Sequence, residues 1–405
     1  MTRSPLLKEV AFVQQKPRGR QFFANPGPTN IPDSVLLASA HASVDFNDPA
    51  FLEVYDACVD GLKRVLGTQH HLFLYAASGH GAWEATLVNL CSPGDCLLML
   101  ETGYFSESWS ALARKHGLEV ETVAADWRRG VELVELRRKL AEDKAHRFHA
   151  VCVVHNETST GVRFPVEKVR AALDEVGHPA LLLADTISSL ASMDFRMDEW
   201  GIDGVVGGSQ KGLMLPAGLS FTAASEKAME AHRRARLPRF YFDWSQMLTR
   251  RQKSFVGTVP ISFFYAMRES IRLLEEEGLA QVFARHHRLA EGVRRAVHAW
   301  GGNAGPQIFC TDPARRSDSV TAILMPEGFD ADAIRRTVLS RFNVSLGGGL
   351  GSLGGKVFRI GHLGDLNEPM VLGALGAVEM SLRLNRVPHS AGGVDAAMNW
   401  YAEAA

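Results

Sequence analysis

An apolar run that ends in a carboxylate is the first segment with chemical potential. It reads Ala180-Leu-Leu-Leu-Ala-Asp185 and has the composition of a buried strand. A buried carboxylate must be paired or it becomes neutral, so Asp185 would need a cationic partner. The alternative is an ordinary Asp that caps a turn at the end of a strand.

A lysine follows a second apolar run, within Gly208-Ser-Gln-Lys-Gly212. Its neighbours are small, and the next segment, 213–219, is again apolar. A desolvated amine has a lowered pKa, which suits Schiff-base chemistry. Lys211 is therefore a candidate for a covalent link to a carbonyl group, although a solvated loop lysine would also fit the pattern.

A glycine-containing turn, Ser78-Gly-His-Gly81, joins a predicted strand to a predicted helix. Small residues at a helix N-terminus leave backbone N–H groups free to hold a phosphate, and the helix dipole assists. Similar turns also occur where no ligand binds. His80 could stack on a ring or simply cap the turn.

An arginine lies on an otherwise apolar strand, in Lys356-Val-Phe-Arg-Ile-Gly-His362. Arginine is seldom buried without an anion, and its planar fork matches a carboxylate. Arg359 therefore either holds the carboxylate of a substrate or forms an internal salt bridge.

Taken together, these four segments provide a lysine for a Schiff base, an acid for a pyridinium nitrogen, a phosphate cup and a carboxylate clamp. They are the parts that pyridoxal 5'-phosphate (PLP) requires from a protein. The sequence therefore predicts a PLP enzyme.

The elements around these segments predict an α/β fold. From about residue 48 to 225, helices alternate with short apolar strands, which is typical of a mostly parallel sheet with helices on both faces. Ligands bind at the carboxyl ends of the strands of such sheets. The predicted strands are Leu72–Ala76, Cys96–Leu100, Val151–His155, Ala180–Asp185, Gly204–Gly207 and Gly218–Ala223.

The C-terminal part has a different pattern. A long helical region is predicted over 261–300, followed by strands at 319–326 and 357–361 and helices at 330–340 and 369–384. The glycine-rich stretch 346–355 is predicted to be a loop near a ligand. We predict an N-terminal arm (1–24), a large PLP-binding domain (25–280) and a smaller α+β domain (281–405).

Composition excludes several classes of protein. The chain has 405 residues and a net charge of −1, without a basic stripe for nucleic acid. Its apolar runs are too short to span a bilayer, and the N-terminus does not resemble a secretory signal. Its 5 cysteines form no CxxC pair, so buried, reduced thiols and a cytoplasmic enzyme are expected.

A set of motifs resembles a known family. The chain is similar to class V aminotransferases of PLP fold type I, specifically the alanine–glyoxylate and serine–glyoxylate branch, over roughly residues 22–400. Residues 193–201 are especially similar to the serine–glyoxylate enzymes. The motifs occur in family order: Asn25-Pro-Gly-Pro-Thr-Asn30, Ser78-Gly-His-Gly-Ala-Trp-Glu84, His155-Asn-Glu-Thr-Ser-Thr-Gly161, Asp185-Thr-Ile-Ser-Ser189, Ser209-Gln-Lys211 and Phe358-Arg-Ile-Gly-His-Leu-Gly364.

The resemblance implies a role for each matching residue. Lys211 would form the Schiff base, Asp185 would face the pyridine nitrogen, and Arg359 would hold the substrate carboxylate. The family forms homodimers with shared active sites, so Thr258 would reach the phosphate bound by the partner subunit. Further contacts are implied at Ser78, Gly79, His80 and Gln210 (phosphate), Phe105 (ring stacking), Thr158 (ring 3-oxygen) and Asn25 (substrate).

Two departures from the family pattern affect these expectations. Some relatives have a Tyr at the position of Phe255 that touches the phosphate, and Phe cannot donate that bond. Ser78-Gly-His80 matches the alanine–glyoxylate pattern, whereas the plant serine–glyoxylate enzymes have Thr-Gly-Thr there. Serine is the expected donor and glyoxylate the acceptor, and alanine remains open.

Aspartate or 3-hydroxyaspartate as donor would need a second cation, and Arg251 and Lys253 are the candidates for it. A PLP-dependent cysteine desulfurase would need a cysteine on a mobile loop, and the stretch 346–355 contains none. A non-catalytic PLP-binding protein would be expected to have lost the lysine or the acid, and both remain.

Overall fold

The computed structural model describes residues 18–249, 255–302 and 304–403. Its strands, in chain order, are β1 (Phe22–Ala24), β2 (His71–Tyr75), β3 (Cys96–Glu101), β4 (Glu119–Ala124), β5 (Phe148–Val154), β6 (Asn156–Glu157), β7 (Val162–Arg163), β8 (Leu181–Asp185), β9 (Gly204–Gly208), β10 (Ser220–Ala224), β11 (Gln307–Ile308), β12 (Val320–Leu324), β13 (Val344–Gly348) and β14 (Val357–Gly361).

The helices of the described residues connect these strands. They are α1 (Asp33–Ser39), α2 (Pro49–Leu66), α3 (Gly79–Leu90), α4 (Tyr104–Lys115), α5 (Leu133–Glu142), α6 (Val166–Glu175), α7 (Glu226–Arg234), α8 (Trp244–Thr249), α9 (Ile261–Glu277), α10 (Leu279–Trp300), α11 (Ala331–Phe342), α12 (Glu368–Leu384) and α13 (Gly393–Glu403). None of these helices is both long and apolar enough to cross a membrane.

The large sheet has seven strands in the order β2-β10-β9-β8-β5-β3-β4. Strands β9, β8, β5, β3 and β4 are parallel, and β10 is antiparallel to both of its neighbours. Strand β2 therefore points the same way as the parallel strands. The predicted, mostly parallel α/β sheet is confirmed.

The strands of the large sheet are apolar because both faces of the sheet are buried. Along β3, Leu98 and Leu100 pack into one buried cluster, whereas Leu97 and Met99 pack into another. Successive side chains of a strand point to opposite faces, so helices cover both faces of the sheet. This double burial is why the strands are continuous apolar runs without polar alternation.

The second sheet has the order β1-β13-β14-β12-β11 and packs against α10, α11 and α12, and α13 packs on α10 and α12. Strand β1 pairs in parallel with β13. The last residues of the predicted N-terminal arm therefore belong to this C-terminal sheet.

Two local predictions need correction. The helical region 261–300 is two helices, because Gly278 adopts φ +81° between α9 and α10. The glycine-rich stretch 346–355 is not entirely a loop, because its first residues form the end of β13. The backbone there approaches β14 closely: a Cβ on Gly347 would lie 3.1 Å from the Cβ of Arg359.

Candidate active site

A cavity of about 240 Å³ opens at the carboxyl ends of the large sheet. Strands β2, β3, β5, β8 and β9 all end at this edge, so the segments that follow them converge. Eight predicted site residues line the cavity: Ser78, Gly79, His80, Phe105, Thr158, Asp185, Gln210 and Lys211.

Lys211 lies in a tight turn after β9. The Ser209 hydroxyl donates to the Pro216 carbonyl at 2.6 Å and fixes this turn. A Cβ on Gly212 would collide with the backbone of Leu190, so only glycine allows this close approach. The Lys211 side chain is buried, and its Nζ donates to the carbonyl of Pro26.

The amine of Lys211 is held in a weakly basic state. Burial and, to a smaller extent, the positive charge of Arg359 together lower the pKa of Lys211 to about 7, although the Asp185 carboxylate partly opposes both effects. An ammonium group loses its hydration on burial, which favours the neutral amine. A large fraction of Lys211 is therefore neutral, and nucleophilic, near pH 7.

Asp185 ends β8 beside Lys211, and its carboxylate is fully enclosed. Its Oδ1 accepts from the Ile187 N–H at 2.6 Å, and its Oδ2 accepts from Trp83 Nε1 at 3.0 Å. Burial nevertheless raises the pKa of Asp185 to about 7. A cationic group placed against this buried carboxylate would stabilise its ionised form.

Trp83 is a site residue that sequence reasoning did not assign. It lies near the start of α3, and its ring stacks on Trp109 with centroids 5.7 Å apart. The sequence shows that Trp83 follows the glycine-containing turn 78–81. It does not show that the indole N–H points toward Asp185, because that direction depends on how α3 packs on the sheet.

The start of α3 leaves polar groups without partners. Ser78 is the N-cap, and its side chain makes no capping hydrogen bond. The first N–H groups of a helix have no partner within the helix, and they carry the positive end of its dipole. His80 faces the cavity above Trp83, with ring centroids 4.6 Å apart, and burial lowers its pKa.

Phe105 is positioned by a buried carboxylate at the start of α4. Glu157 accepts hydrogen bonds from the N–H groups of Phe105 and Ser106 at 3.4 and 3.3 Å. Burial raises the pKa of Glu157, and these bonds offset part of the cost. The sequence gives Glu157 no evident role, because a sequence does not show which helix a carboxylate will cap.

A polar network follows β5 on the cavity wall. Thr158 donates to the Ser188 hydroxyl at 2.7 Å, and Asn156 donates to the same oxygen at 2.8 Å. The carbonyl oxygens of the Asn156 and Gln210 side chains are buried without a hydrogen-bond partner. Both residues line the cavity, so these oxygens can accept from a bound ligand.

Arg359 lies beside the cavity without lining it. Its Nε donates to the Gly348 carbonyl at 2.8 Å and its Nη1 to the Thr158 carbonyl at 3.0 Å. Burial lowers its pKa to about 10, so it remains charged near neutrality. The two carbonyls hold the guanidinium in place and leave Nη2 for an anion.

Two other predicted site residues, Thr258 and Asn25, fall outside the cavity lining. Thr258 is exposed on its own chain, and Asn25 contributes its backbone carbonyl to the Gly27 N–H at 2.7 Å. In the same N-terminal segment, Gly27 and Pro28 line the cavity instead. Phe255 is buried against Phe264, with ring centroids 5.9 Å apart. Arg251 and Lys253 lie outside the described residues.

The residues present fit PLP. A neutral amine lies near an acid that favours a cationic neighbour, as a covalently held pyridinium requires. The uncapped helix start offers N–H groups to a phosphate, and Phe105 offers an aromatic face. The unpartnered oxygens of Asn156 and Gln210 lie in the same wall.

The chain resembles known proteins over most of its length. The family model for class-V aminotransferases matches residues 22–353. The chain is 44% identical to L-aspartate–glyoxylate aminotransferase of Paracoccus denitrificans, over 93% of this chain and 95% of the relative. It is 43% identical to serine–glyoxylate aminotransferase of Methylorubrum extorquens, over 95% and 97%.

A solved structure extends the comparison to the fold. Alanine–glyoxylate aminotransferase from Nostoc sp. superposes with a TM-score of 0.83 at 32% identity, over 95% of this chain and 98% of that one. Fold and site therefore define a PLP-dependent transferase of fold type I. Within that class, the chain belongs to the class-V aminotransferase family, and its cofactor is PLP.

Proposed function

We propose that the enzyme transfers the amino group of a small amino acid, serine foremost, to glyoxylate. The products from serine are hydroxypyruvate and glycine. The observation that carries the transaminase chemistry is the convergence of buried Lys211 and Asp185 on one cavity beside Arg359. The choice of glyoxylate rests on the relatives, whose names pair it with serine and aspartate.

We assign the hold on PLP to residues of this cavity. Lys211 would carry the cofactor covalently, and Asp185 would hold the proton on the ring nitrogen. Ser78, Gly79 and His80 at the start of α3 would hold the phosphate, with Gln210 nearby. Phe105 would stack on the ring, and Thr158 would form a hydrogen bond near the 3-oxygen. Bound PLP supplies a carbonyl for the donor amine and a cationic ring that withdraws electrons.

Lys211 is the base to which we assign proton transfer. In the first half of the cycle its Nζ, as a neutral amine, would take the α-proton of the donor and deliver it to the carbon of PLP that carries the aldehyde. In the second half the same Nζ would move a proton from that carbon to the α-carbon of the new amino acid. Two such halves, each releasing one product, give ping-pong kinetics.

Substrate orientation belongs to Arg359. Its guanidinium is fixed by two carbonyls, so little side-chain entropy is lost when a carboxylate binds. This anchor suits both amino acids and glyoxylate, since each carries a carboxylate next to the reacting carbon. Asn25, two residues before Gly27 of the cavity wall, is assigned to the same substrate side.

Alanine is an open alternative to serine, because it asks only for a small apolar pocket. Aspartate or 3-hydroxyaspartate is a second candidate for the donor, favoured by the similarity to the aspartate–glyoxylate enzyme. Its side-chain carboxylate would need a further cation, and Arg251 and Lys253 are the candidates. No cysteine lines the cavity as far as the structure describes the chain, which speaks against sulfur transfer from a cysteine nucleophile.

A donor panel separates these candidates. Purified holoenzyme is assayed with serine, alanine, aspartate and 3-hydroxyaspartate, with glyoxylate as acceptor, and kcat/KM is compared. We expect serine to give the highest value. A higher value for aspartate would replace serine by the second candidate, and no glycine formation from any donor would refute a glyoxylate aminotransferase.

We further propose a homodimer with active sites shared between subunits, in the cytoplasm and without nucleic-acid or membrane partners. Large apolar side chains are exposed on the single chain, including Leu37 (76%), Phe240 (72%) and Leu248 (55%). Exposed apolar side chains of this size can form part of a subunit interface. Thr258 is also exposed, as a residue that contacts the partner's cofactor would be.

A further inference from the structure

The edge of the large sheet opposite the cavity holds three side chains that are different kinds of metal ligand. They are Cys91 after α3, Asp95 before β3 and His149 at the start of β5. Their ligand atoms all lie within 4.8 Å of one another. The aminotransferase chemistry uses none of them, because it takes place at the carboxyl ends of the same strands.

A β-bulge directs His149 toward this cluster. Cys96 pairs with Phe148 and Leu97 with Ala150, so His149 is an extra residue without a partner in β3. Bulges of this kind change the direction of a side chain and are often functional. The imidazole Nε2 lies 2.8 Å from the carbonyl oxygen of Leu90.

The contact with Leu90 fixes the tautomer of His149. A carbonyl can only accept, so Nε2 carries the hydrogen and the neutral ring presents a lone pair at Nδ1. Metal-binding histidines commonly donate their other N–H to a carbonyl in this way. The ring is thus already oriented as a ligand.

Asp95 presents its carboxylate to that lone pair. Its Oδ2 accepts from the Ser92 N–H at 2.7 Å and lies 3.7 Å from Nδ1 of His149. This separation is too long for a hydrogen bond. It is close to the roughly 3.4 Å between two ligands of one tetrahedral zinc ion.

Cys91 is the third residue of the cluster and lies on its buried side. Its thiol is fully buried, whereas the side chains of Asp95 and His149 are each 29% exposed. Burial raises the pKa of Cys91 well above its usual range, and the Asp95 charge adds to this. A divalent cation reverses that preference, because a coordinating thiol loses its proton to solvent.

We propose that Cys91, Asp95 and His149 bind one zinc ion, with water as the fourth ligand. The mixed sulfur, nitrogen and oxygen set suits Zn²⁺ better than Mg²⁺ or Ca²⁺, which prefer oxygen alone. The ion would enter from the exposed side of Asp95 and His149. It would tie the end of α3 to the starts of β3 and β5.

Cobalt(II) provides a direct test on the PLP-loaded enzyme. We expect one Co²⁺ per chain, with visible d–d bands at longer wavelengths than PLP absorbs and a thiolate charge-transfer band in the near ultraviolet. Zn²⁺ should displace the cobalt and raise the midpoint of thermal unfolding. Cobalt that shows only the weak spectrum of the hydrated ion would overturn the proposal.

Variants assign the ligands. Asp95→Asn keeps an oxygen for the Ser92 N–H, so the loop can remain folded, and we expect zinc binding to weaken by more than about tenfold. Cys91→Ala should abolish the charge-transfer band. His71→Gln is the control, because His71 is another partly exposed strand histidine beside a carboxylate, 2.9 Å from Glu226. Unchanged zinc affinity in Asp95→Asn and His149→Phe, or an equal loss in His71→Gln, would contradict the site.

Discussion

At the scale of single residues, the site depends on two buried groups of opposite charge that both titrate near neutrality. Lys211 and Asp185 each have a pKa of about 7, the first lowered and the second raised by burial. Each group therefore exchanges its proton in the pH range where the enzyme would work.

The pKa of Lys211 predicts how PLP loading depends on pH. Only the neutral amine attacks the aldehyde, so the rate at which the apoenzyme binds PLP covalently should rise with pH and level off above about 7. The rise is followed by the absorbance of the bound cofactor. A rate that kept rising toward the usual lysine pKa, about 10.4, would contradict the burial effect.

Asp185→Asn tests how the charge of Asp185 affects the pKa of Lys211. The Asp185 charge raises the pKa of Lys211, so its removal should shift the midpoint of covalent PLP loading to lower pH. A shift to higher pH would mean that the two side chains do not interact as the structure places them.

Trp83 offers a second prediction at this scale. Trp83→Phe removes the indole bond to Asp185, and a hydrogen bond to a charged group contributes about 1.5–3 kcal/mol. We expect PLP affinity of the purified protein, measured by equilibrium dialysis, to fall by roughly tenfold or more. Trp109→Phe is the matched control, because the Trp109 Nε1 is buried without a partner. An equal loss in both variants would indicate a packing effect rather than the bond.

At the scale of elements, the start of α3 leaves no room for a larger side chain at Gly79. A Cβ on Gly79 would collide with the side chain of Ile187, which also lines the cavity. Gly79→Ala should therefore displace Ile187, at a cost of about 1–3 kcal/mol, and lower PLP affinity roughly tenfold. Dialysis of PLP against the variant measures this.

Gly376→Ala is the control for that substitution. Gly376 lies within α12, and nothing lies within 4 Å of its added Cβ. Alanine there should raise the free energy of unfolding by up to about 1 kcal/mol and leave PLP affinity unchanged. Loss of PLP from both variants would show that the effect of Gly79 is not local.

The strands and helices also show which features of the structure could be predicted from the sequence. The strands that precede Asp185 and Lys211 were predictable, because burial on both faces makes them continuous apolar runs. The direction of the Trp83 indole and the capping of α4 by Glu157 were not, since both depend on how distant elements pack. The prediction that the glycine-rich stretch 346–355 is a loop was partly wrong. Its Gly347 lies within a sheet, where glycine allows the backbone to approach Arg359 closely.

At the scale of the whole molecule, Thr258 tests the shared active site. Thr258 is exposed and does not line the cavity of its own chain. If it donates to the phosphate of the partner's cofactor, Thr258→Ala should weaken PLP binding by roughly tenfold, the effect of one charged hydrogen bond. Thr311→Ala, at another exposed threonine, should have no effect. A monomer by light scattering, or wild-type PLP affinity in Thr258→Ala, would refute this role.

The overall architecture was largely predictable, and the exception is informative. Alternating helices and apolar strands indicated the parallel sheet, and a change of pattern after residue 300 indicated the second sheet. Strand β1 was missed as part of that sheet, because three residues carry little periodicity and their partner β13 lies more than 300 residues away.

The covalent site of PLP is the most direct test of the central claim. The holoenzyme is reduced with borohydride, digested, and its peptides are analysed by mass spectrometry. We predict a single phosphopyridoxyl group, on the peptide that contains Lys211, and loss of this label and of transamination in Lys211→Ala. A label on another lysine, or near wild-type turnover in Lys211→Ala, would contradict the assignment.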